Sequence, residues 1–246
     1  MAFALCLCLA AAPPVAAQAG PQPVSGQPPQ PGVFKDLGHD IKGLGSPSSL
    51  TWLGAGLATT LATLTIDDYV TDHFADDHGT EEAFEPGEVL GGVAVQAGSA
   101  VAVYALGRAF HQPAAAALGA DLVRAQILTQ AITQAIKFTV DRTRPDGTAR
   151  SFPSGHASTS FATVTVLQRY FGWKVGVPGY GLAAYVAASR IQSRKHYLSD
   201  VVFGATIGIV VGRVATVGHG WATFAPVPVV TRGATGINFV RIEAGR

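Results

Sequence analysis

The chain has 246 residues, of which 48% are hydrophobic and 13% charged, and its net charge is +1. Such a length supports one domain with an ample core. A charge near zero excludes wholesale nucleic-acid binding, which needs a basic surface, and a charged fraction about half the usual ~25% brings membrane embedding into consideration.

The first 34 residues carry no charged side chain. Residues 2–12, AFALCLCLAAA, have the length of a secretory h-region, and Ala17-Gln18-Ala19 offers an A-x-A cleavage site, although no Lys or Arg precedes the run. Residues 1–19 are therefore expected to be a signal peptide of an exported, periplasmic protein. Cys6 and Cys8 both lie in this leader, so the mature chain has neither disulfide nor thiol chemistry. Residues 20–34, rich in Pro, Gln and Gly, read as a flexible linker.

The folded domain is expected over residues 35–220. Six long apolar segments follow in order: Leu50–Ile66, Val89–Phe110, Ala114–Phe138, Ala157–Phe171, Tyr180–Ile191 and Val201–Val217. They are too long for strands and rich in Ala and Leu, which predicts an all-α bundle of about six helices. Between the first two lies DDYVTDHFADDHGTEEAFEPGE, residues 67–88, with nine acids, His73 and His78. Its residue types could ligate a metal, but the spacing matches no ligand signature, and a solvated acidic connection is the better reading. Residues 221–246 change character. Their β-branched runs on either side of Gly233-Ala234-Thr235-Gly236 predict a β-hairpin, with a disordered tail as the alternative.

Polar clusters interrupt the apolar segments at three places. The first is Lys137, six residues, then Arg144-Pro145. The second is Pro153-Ser154-Gly155-His156, and the third is Ser189-Arg190, five residues, His196, three residues, Asp200. Lys137, Arg144 and Arg190 would repel one another in an apolar bundle unless an anion sat between them, and Arg matches phosphate oxygens with a planar fork. Ser154 and Gly155 precede a helix, so their backbone N–H groups are expected to add anion donors. His196 and Asp200 stand one helical turn apart, so the carboxylate can fix the imidazole tautomer and leave the other nitrogen as a nucleophile. His156 is then the general acid. Gln126, Gln130, Lys137 and Asp141 form a polar stripe at helical spacing, expected to face the site.

Eleven specified residues thus occur in order at fixed spacings. They resemble the three motifs of the phosphatidic acid phosphatase type 2 and vanadium haloperoxidase superfamily, over residues 137–200. The resemblance implies an α-helical bundle. It implies that Lys137, Arg144, Arg190, Ser154 and Gly155 bind phosphate, with His196 as nucleophile, His156 as acid and Asp200 as partner. For the phosphatases it implies no metal or other cofactor. The expected activity is hydrolysis of a phosphomonoester, or of a lipid phosphate or pyrophosphate, through a phosphohistidine. A vanadium haloperoxidase and a non-catalytic phosphate-binding module are the alternatives. Partners are a phosphate ester, lipid or not, and a membrane surface. Oligomeric state is left open.

Topology separates soluble from embedded forms. Were all six segments to span after cleavage of an external leader, the third would run inward and Lys137 would face the cytoplasm, opposite to the arrangement the lipid phosphatases imply. Ala114–Phe138 also contains Asp121, Arg124 and three glutamines, which are costly in a span. The expectation is a periplasmic domain resting on the membrane. An integral inner-membrane protein with an outward-facing site is the alternative, because Val89–Leu106 and Val201–Val217 are apolar enough to insert.

Overall fold

The computed structural model describes residues 32–75, 81–216, 222–231 and 234–243. The expected signal peptide and most of the linker lie outside these residues. The order of elements is α1 (Val33–Gly43), α2 (Pro47–Leu64), α3 (Asp67–Ala75), α4 (Glu81–Gly91), α5 (Val93–Ala109), α6 (Pro113–Val140), α7 (Gly155–Phe171), α8 (Trp173–Gln192), α9 (Leu198–Ala215), β1 (Ala222–Thr231) and β2 (Ala234–Glu243). The all-α bundle is as expected, with nine helices rather than six among the described residues. The six apolar segments became α2 and α5 to α9. The extra three are the short α1, α3 and α4.

Local sequence explains most boundaries. Ser46 caps α2 by accepting from Ser49 N at 3.3 Å, and Pro47 fits the first turn, where no backbone donor is needed. Helix α6 likewise opens on Pro113 and stops at Asp141, whose backbone is left-handed (φ 44°). Helix α8 starts seven residues before the expected Tyr180. Its Gly176 and Gly179 are not breakers there: they let α8 approach Gln168 and Val164 of α7.

Helices α7 and α9 form the tightest crossing. On α9 a stripe of Gly204, Gly208 and Gly212 lies directly on the α7 backbone. A Cβ at Gly204 would stand 2.5 Å from Ser154 O, and one at Gly208 2.8 Å from Ala162 N. Around this seam Leu122, Ala125, Leu128, Val166, Ile207 and Val211 close the main core. At one end of the bundle the buried Arg124 draws α1 down. Its Nε donates to Asp40 at 2.7 Å and its Nη2 to Ala215 O at 2.6 Å, with Asp121 at 3.0 Å. Ring and charge continue to Tyr170, whose hydroxyl donates to Asp121 at 2.7 Å.

Two segments differ from expectation. Residues 67–88 are more than a connection: they contain α3 and most of α4, and Asp67 is buried, whereas Asp68, Asp72, Glu81, Glu82, Glu85 and Glu88 are exposed as expected. His78 lies outside the described residues. Among the described residues no three His, Cys, Asp or Glu side chains are grouped to hold a metal ion. The C-terminal hairpin is present, with β1 antiparallel to β2 and Thr231 opposite Ala234. Its reversal is tighter than expected, since Ala234, Thr235 and Gly236 already belong to β2.

The exterior is apolar over long stretches. Helix α2 exposes Leu50, Trp52, Leu57, Leu61 and Leu64, and α8 exposes Trp173, Val175, Val177 and Leu182. By length and composition α9 can cross a membrane. The pairs α2–α3 and α4–α5 qualify only if each is one bent span, at 70° and 46°. Val201–Val217 thus behaves as expected, whereas Val89–Leu106 is broken at Gly92 between α4 and α5.

The glycine seam gives a direct stability test. Gly208→Ala should lower the melting temperature by several degrees, because the added methyl overpacks a backbone contact and costs ~1–3 kcal/mol. Gly98→Ala on α5, where a Cβ meets nothing within 4 Å, should leave it unchanged or raise it. Thermal unfolding of the two variants checks this, and equal melting temperatures would contradict the packing described.

Candidate active site

The three motifs meet at one end of the bundle. Lys137 comes from the last turn of α6, and Arg144 from the loop that follows. Ser154 to His156 open α7. Arg190 closes α8, and His196 and Asp200 lie at the α8–α9 junction and in the first turn of α9.

Asp200 ties the motifs together. Its side chain is fully buried and occupies the third position of α9, where it accepts from Tyr197 N at 2.9 Å, as an N-terminal capping carboxylate does. It also accepts from Arg142 Nη1 at 3.0 Å and from the Ser151 hydroxyl. His196 Nδ1 stands 3.5 Å from Asp200 Oδ2, an ion-pair separation too long for a good hydrogen bond. The backbone carbonyl of Asp200 accepts from Ser154 N at 3.0 Å. One residue thereby holds the loop after α6, the start of α7 and the catalytic histidine candidate.

His196 is 4% exposed. Burial is the main cause that pulls its pKa down to about 4, and the neighbouring Lys137 and Arg144 add to this against the attraction of Asp200. The ring is neutral at pH 7. Its backbone N–H donates to Arg190 O at 3.1 Å, which fixes it against the end of α8.

The cations gather as expected. Lys137 Nζ donates to Arg150 O at 2.6 Å and Ser151 O at 3.1 Å, which anchors the loop. Arg144 lies close enough to act on the charges of Lys137, His196 and Arg190. Among the described residues Arg144 Nε and Arg190 Nε have no hydrogen-bond partner although buried. Buried donors without acceptors are costly, so two guanidiniums here have capacity for an anion. Asp141, Arg150 and Arg194, all bordering this region, have left-handed backbones at φ 44°, 64° and 53°. Such conformations cost ~1–3 kcal/mol each and concentrate at functional sites.

Ser154 departs from expectation. Its N–H is spent on Asp200 O, and its hydroxyl caps α7 by accepting from Ala157 N at 3.4 Å. It cannot offer its backbone to an anion. The open first-turn groups belong to Gly155 and His156. Above Gly155 the space is clear, since a Cβ there would meet only Thr133 Cγ2 at 3.9 Å. His156 Nε2 donates to Glu88 O of α4 at 3.2 Å, with α4 held close by the buried Gly91.

The expected polar stripe on α6 does not all face the site. Lys137 does. Gln126 lies deep in the α6–α7 seam, donating to Thr163 Oγ1 at 2.8 Å, and Asp141 is exposed.

Sequence reasoning missed three participants. Arg142 bridges Asp200 and the buried Asp67 of α3, its Nη2 donating to Asp67 Oδ2 at 2.9 Å. Asp67 also accepts from Ser199 N at 2.8 Å and from the Ser199 hydroxyl. Glu88 Oε2 reaches Arg190 Nη1 at 3.4 Å. Arg142 sits inside the first cluster and was readable there. Asp67 and Glu88 looked like members of an acidic run, and only α3 and α4 bring them in.

Residues 118–224 match the model of the PAP2 superfamily. The chain is 43% identical over 82 residues to a lipid A 1-phosphatase of Porphyromonas gingivalis, covering 32% of this chain and 18% of that one. It is 36% identical over 104 residues to a decaprenylphosphoryl-5-phosphoribose phosphatase of Mycobacterium tuberculosis, covering 38% and 57%. The matched stretches thus span little more than half of these curated relatives at most. Among solved structures, Aquifex aeolicus LpxE superposes with a TM-score of 0.52 at 20% identity, over 61% of this chain and 94% of that one. A transmembrane PAP2-type phosphatidylglycerolphosphate phosphatase of Bacillus subtilis superposes with 0.51 at 17%, over 75% and 92%. These likenesses are of fold. Over residues 118–224, which carry the three motifs, this chain is similar to the PAP2 superfamily.

Proposed function

We propose that the chain is a membrane-embedded phosphatase that hydrolyses a phosphomonoester or pyrophosphate of a lipid through a phosphohistidine on His196. The observation that carries this reading is the convergence of Lys137, Arg144 and Arg190 beside a buried neutral histidine backed by a buried carboxylate. The relatives' names, all phosphatases of lipid-linked substrates, support it. The exposed apolar side chains of α2 and α8 favour the embedded form over a soluble domain resting on the membrane. Export and a periplasmic site remain part of the same proposal.

In the first step Nε2 of His196 attacks phosphorus while Asp200 stabilises the proton on Nδ1. The P–N bond forms, the P–O bond breaks, and His156, its Nε2 held by the Glu88 carbonyl and its Nδ1 protonated beside the bound anion, gives the Nδ1 proton to the departing oxygen. In the second step His156 takes a proton from water, which attacks phosphorus and releases phosphate from His196. The charge spread over the equatorial oxygens is met by Lys137, Arg144 and Arg190 and by the N–H groups of Gly155 and His156. Ser154 acts by bracing α7 against α9. Asp67 acts through Arg142, which holds Oδ1 of Asp200 while Oδ2, shared by Tyr197 N and the Ser151 hydroxyl, faces His196.

Vanadate, which readily becomes five-coordinate, should inhibit competitively. Lys137→Ala, Arg144→Ala and Arg190→Ala should each raise its Ki by about tenfold or more, the scale of a lost charge-assisted hydrogen bond. Wild-type inhibition constants in all three variants would remove the cradle.

The residues should also fail differently in steady-state kinetics. His156→Ala should lose far more activity on an alkyl phosphate than on nitrophenyl phosphate, whose leaving group needs no proton. Asp67→Asn should lower kcat by about tenfold on both substrates with little change in KM, as orienting partners do. Equal losses in His156→Ala on the two substrates, or a full-rate Asp67→Asn, would contradict the assigned roles.

A further inference from the structure

A cavity of about 510 Å³ adjoins the cradle and shares Arg190 and Glu88 with it. Arg190 is 5% exposed and its Nε has no hydrogen-bond partner among the described residues, so this cavity is built to meet an anion at that point. The facing wall has the opposite charge. Glu81, Glu85 and Glu88 of α4 line it, with Phe84 between them. Their spacings of four and three put the carboxylates on one face of the helix. Asp146 lines it too but is held by Lys195 at 2.9 Å.

The same helix touches the proposed acid. The Glu88 carbonyl accepts from His156 Nε2, and the Glu88 carboxylate lies beside Arg190. A leaving group protonated by His156 therefore departs along α4. Although Glu88 is paired with Arg190 and Arg194 also lines the cavity, the carboxylates of α4 outnumber these two cations, so the exit repels a second negative charge and leaves an alcohol unaffected.

We propose that the acidic face of α4 is the leaving-group subsite and selects phosphate esters of uncharged alcohols over pyrophosphates. This rests on the phosphatase reading above. With a monoester, the broken P–O bond releases an alcohol that takes the proton of His156. With a pyrophosphate, the group released is itself a phosphate monoester, whose charge must pass the three glutamates.

Farnesyl monophosphate and farnesyl pyrophosphate share a tail and differ only in what leaves, so the full chain in detergent micelles can be tested on both. The wild type should favour the monophosphate in kcat/KM by about tenfold, although the pyrophosphate has the better leaving group. Glu81→Gln/Glu85→Gln, changing two exposed side chains, should raise kcat/KM for the pyrophosphate by about tenfold and leave the monophosphate within about twofold. High salt should narrow the wild-type preference in the same direction. A wild type that prefers the pyrophosphate, or a double variant with an unchanged ratio, overturns the subsite while leaving the phosphatase reading intact. A wild type inactive on both substrates overturns the two together.

Discussion

A carboxylate sealed from water must be surrounded by donors, and the site follows from how Asp200 meets that demand. Its side-chain oxygens take Tyr197 N, Arg142 and Ser151, and face His196, while its own carbonyl takes Ser154 N. These donors come from the loop after α6, the start of α7 and the α8–α9 junction. Removing the carboxylate would leave His196 Nδ1 facing no acceptor and Arg142 held by Asp67 and Ser199 alone. The position of His196 is therefore a consequence of satisfying Asp200, and the glycine stripe of α9 is what lets that first turn lie against α7.

Opposed to this well-satisfied anion is an undersatisfied cluster of cations. Lys137 spends its ammonium on two loop carbonyls, but Arg144 and Arg190 keep buried guanidinium nitrogens without partners among the described residues. The far end of the bundle shows how the same chain treats a purely structural arginine. Arg124 there meets Asp40, Asp121, Asp36 and the carbonyl of Ala215. Nε and Nη2 of Arg124 are thus hydrogen-bonded and only Nη1 is not, whereas Nε is open in both Arg144 and Arg190.

Much of this was legible in the sequence because it is local. Apolar runs of helical length, Pro and Ser at helix starts, and the fixed spacings within each cluster predict the bundle and the candidate residues. Pairings distant in sequence were not legible. Asp67 lies 75 residues from the arginine it holds and opens an acidic run, so nothing near it distinguished a buried ligand of Arg142 from a solvated charge. Arg124 and Asp40 are hidden in the same way, 84 residues apart. Ser154 shows the opposite failing: its type suits an anion cradle, but only the arrangement of α9 reveals that its N–H is already taken. The early start of α8 at Trp173 was hidden in the same way, because the role of Gly176 and Gly179, close contact with α7, belongs to packing.

In the proposed mechanism His196, neutral and oriented by Asp200, attacks phosphorus. Rapid quenching of the wild-type enzyme with a ³²P-labelled lipid phosphate tests it directly, because phosphohistidine is labile to acid and survives alkali. Alkali-stable label is expected on the wild-type protein, mapped to the peptide containing His196, and none on His196→Ala. Label on His196→Ala, or labelled phosphate released by wild type with no phosphoenzyme at any quench time under conditions that trap it, would contradict the account.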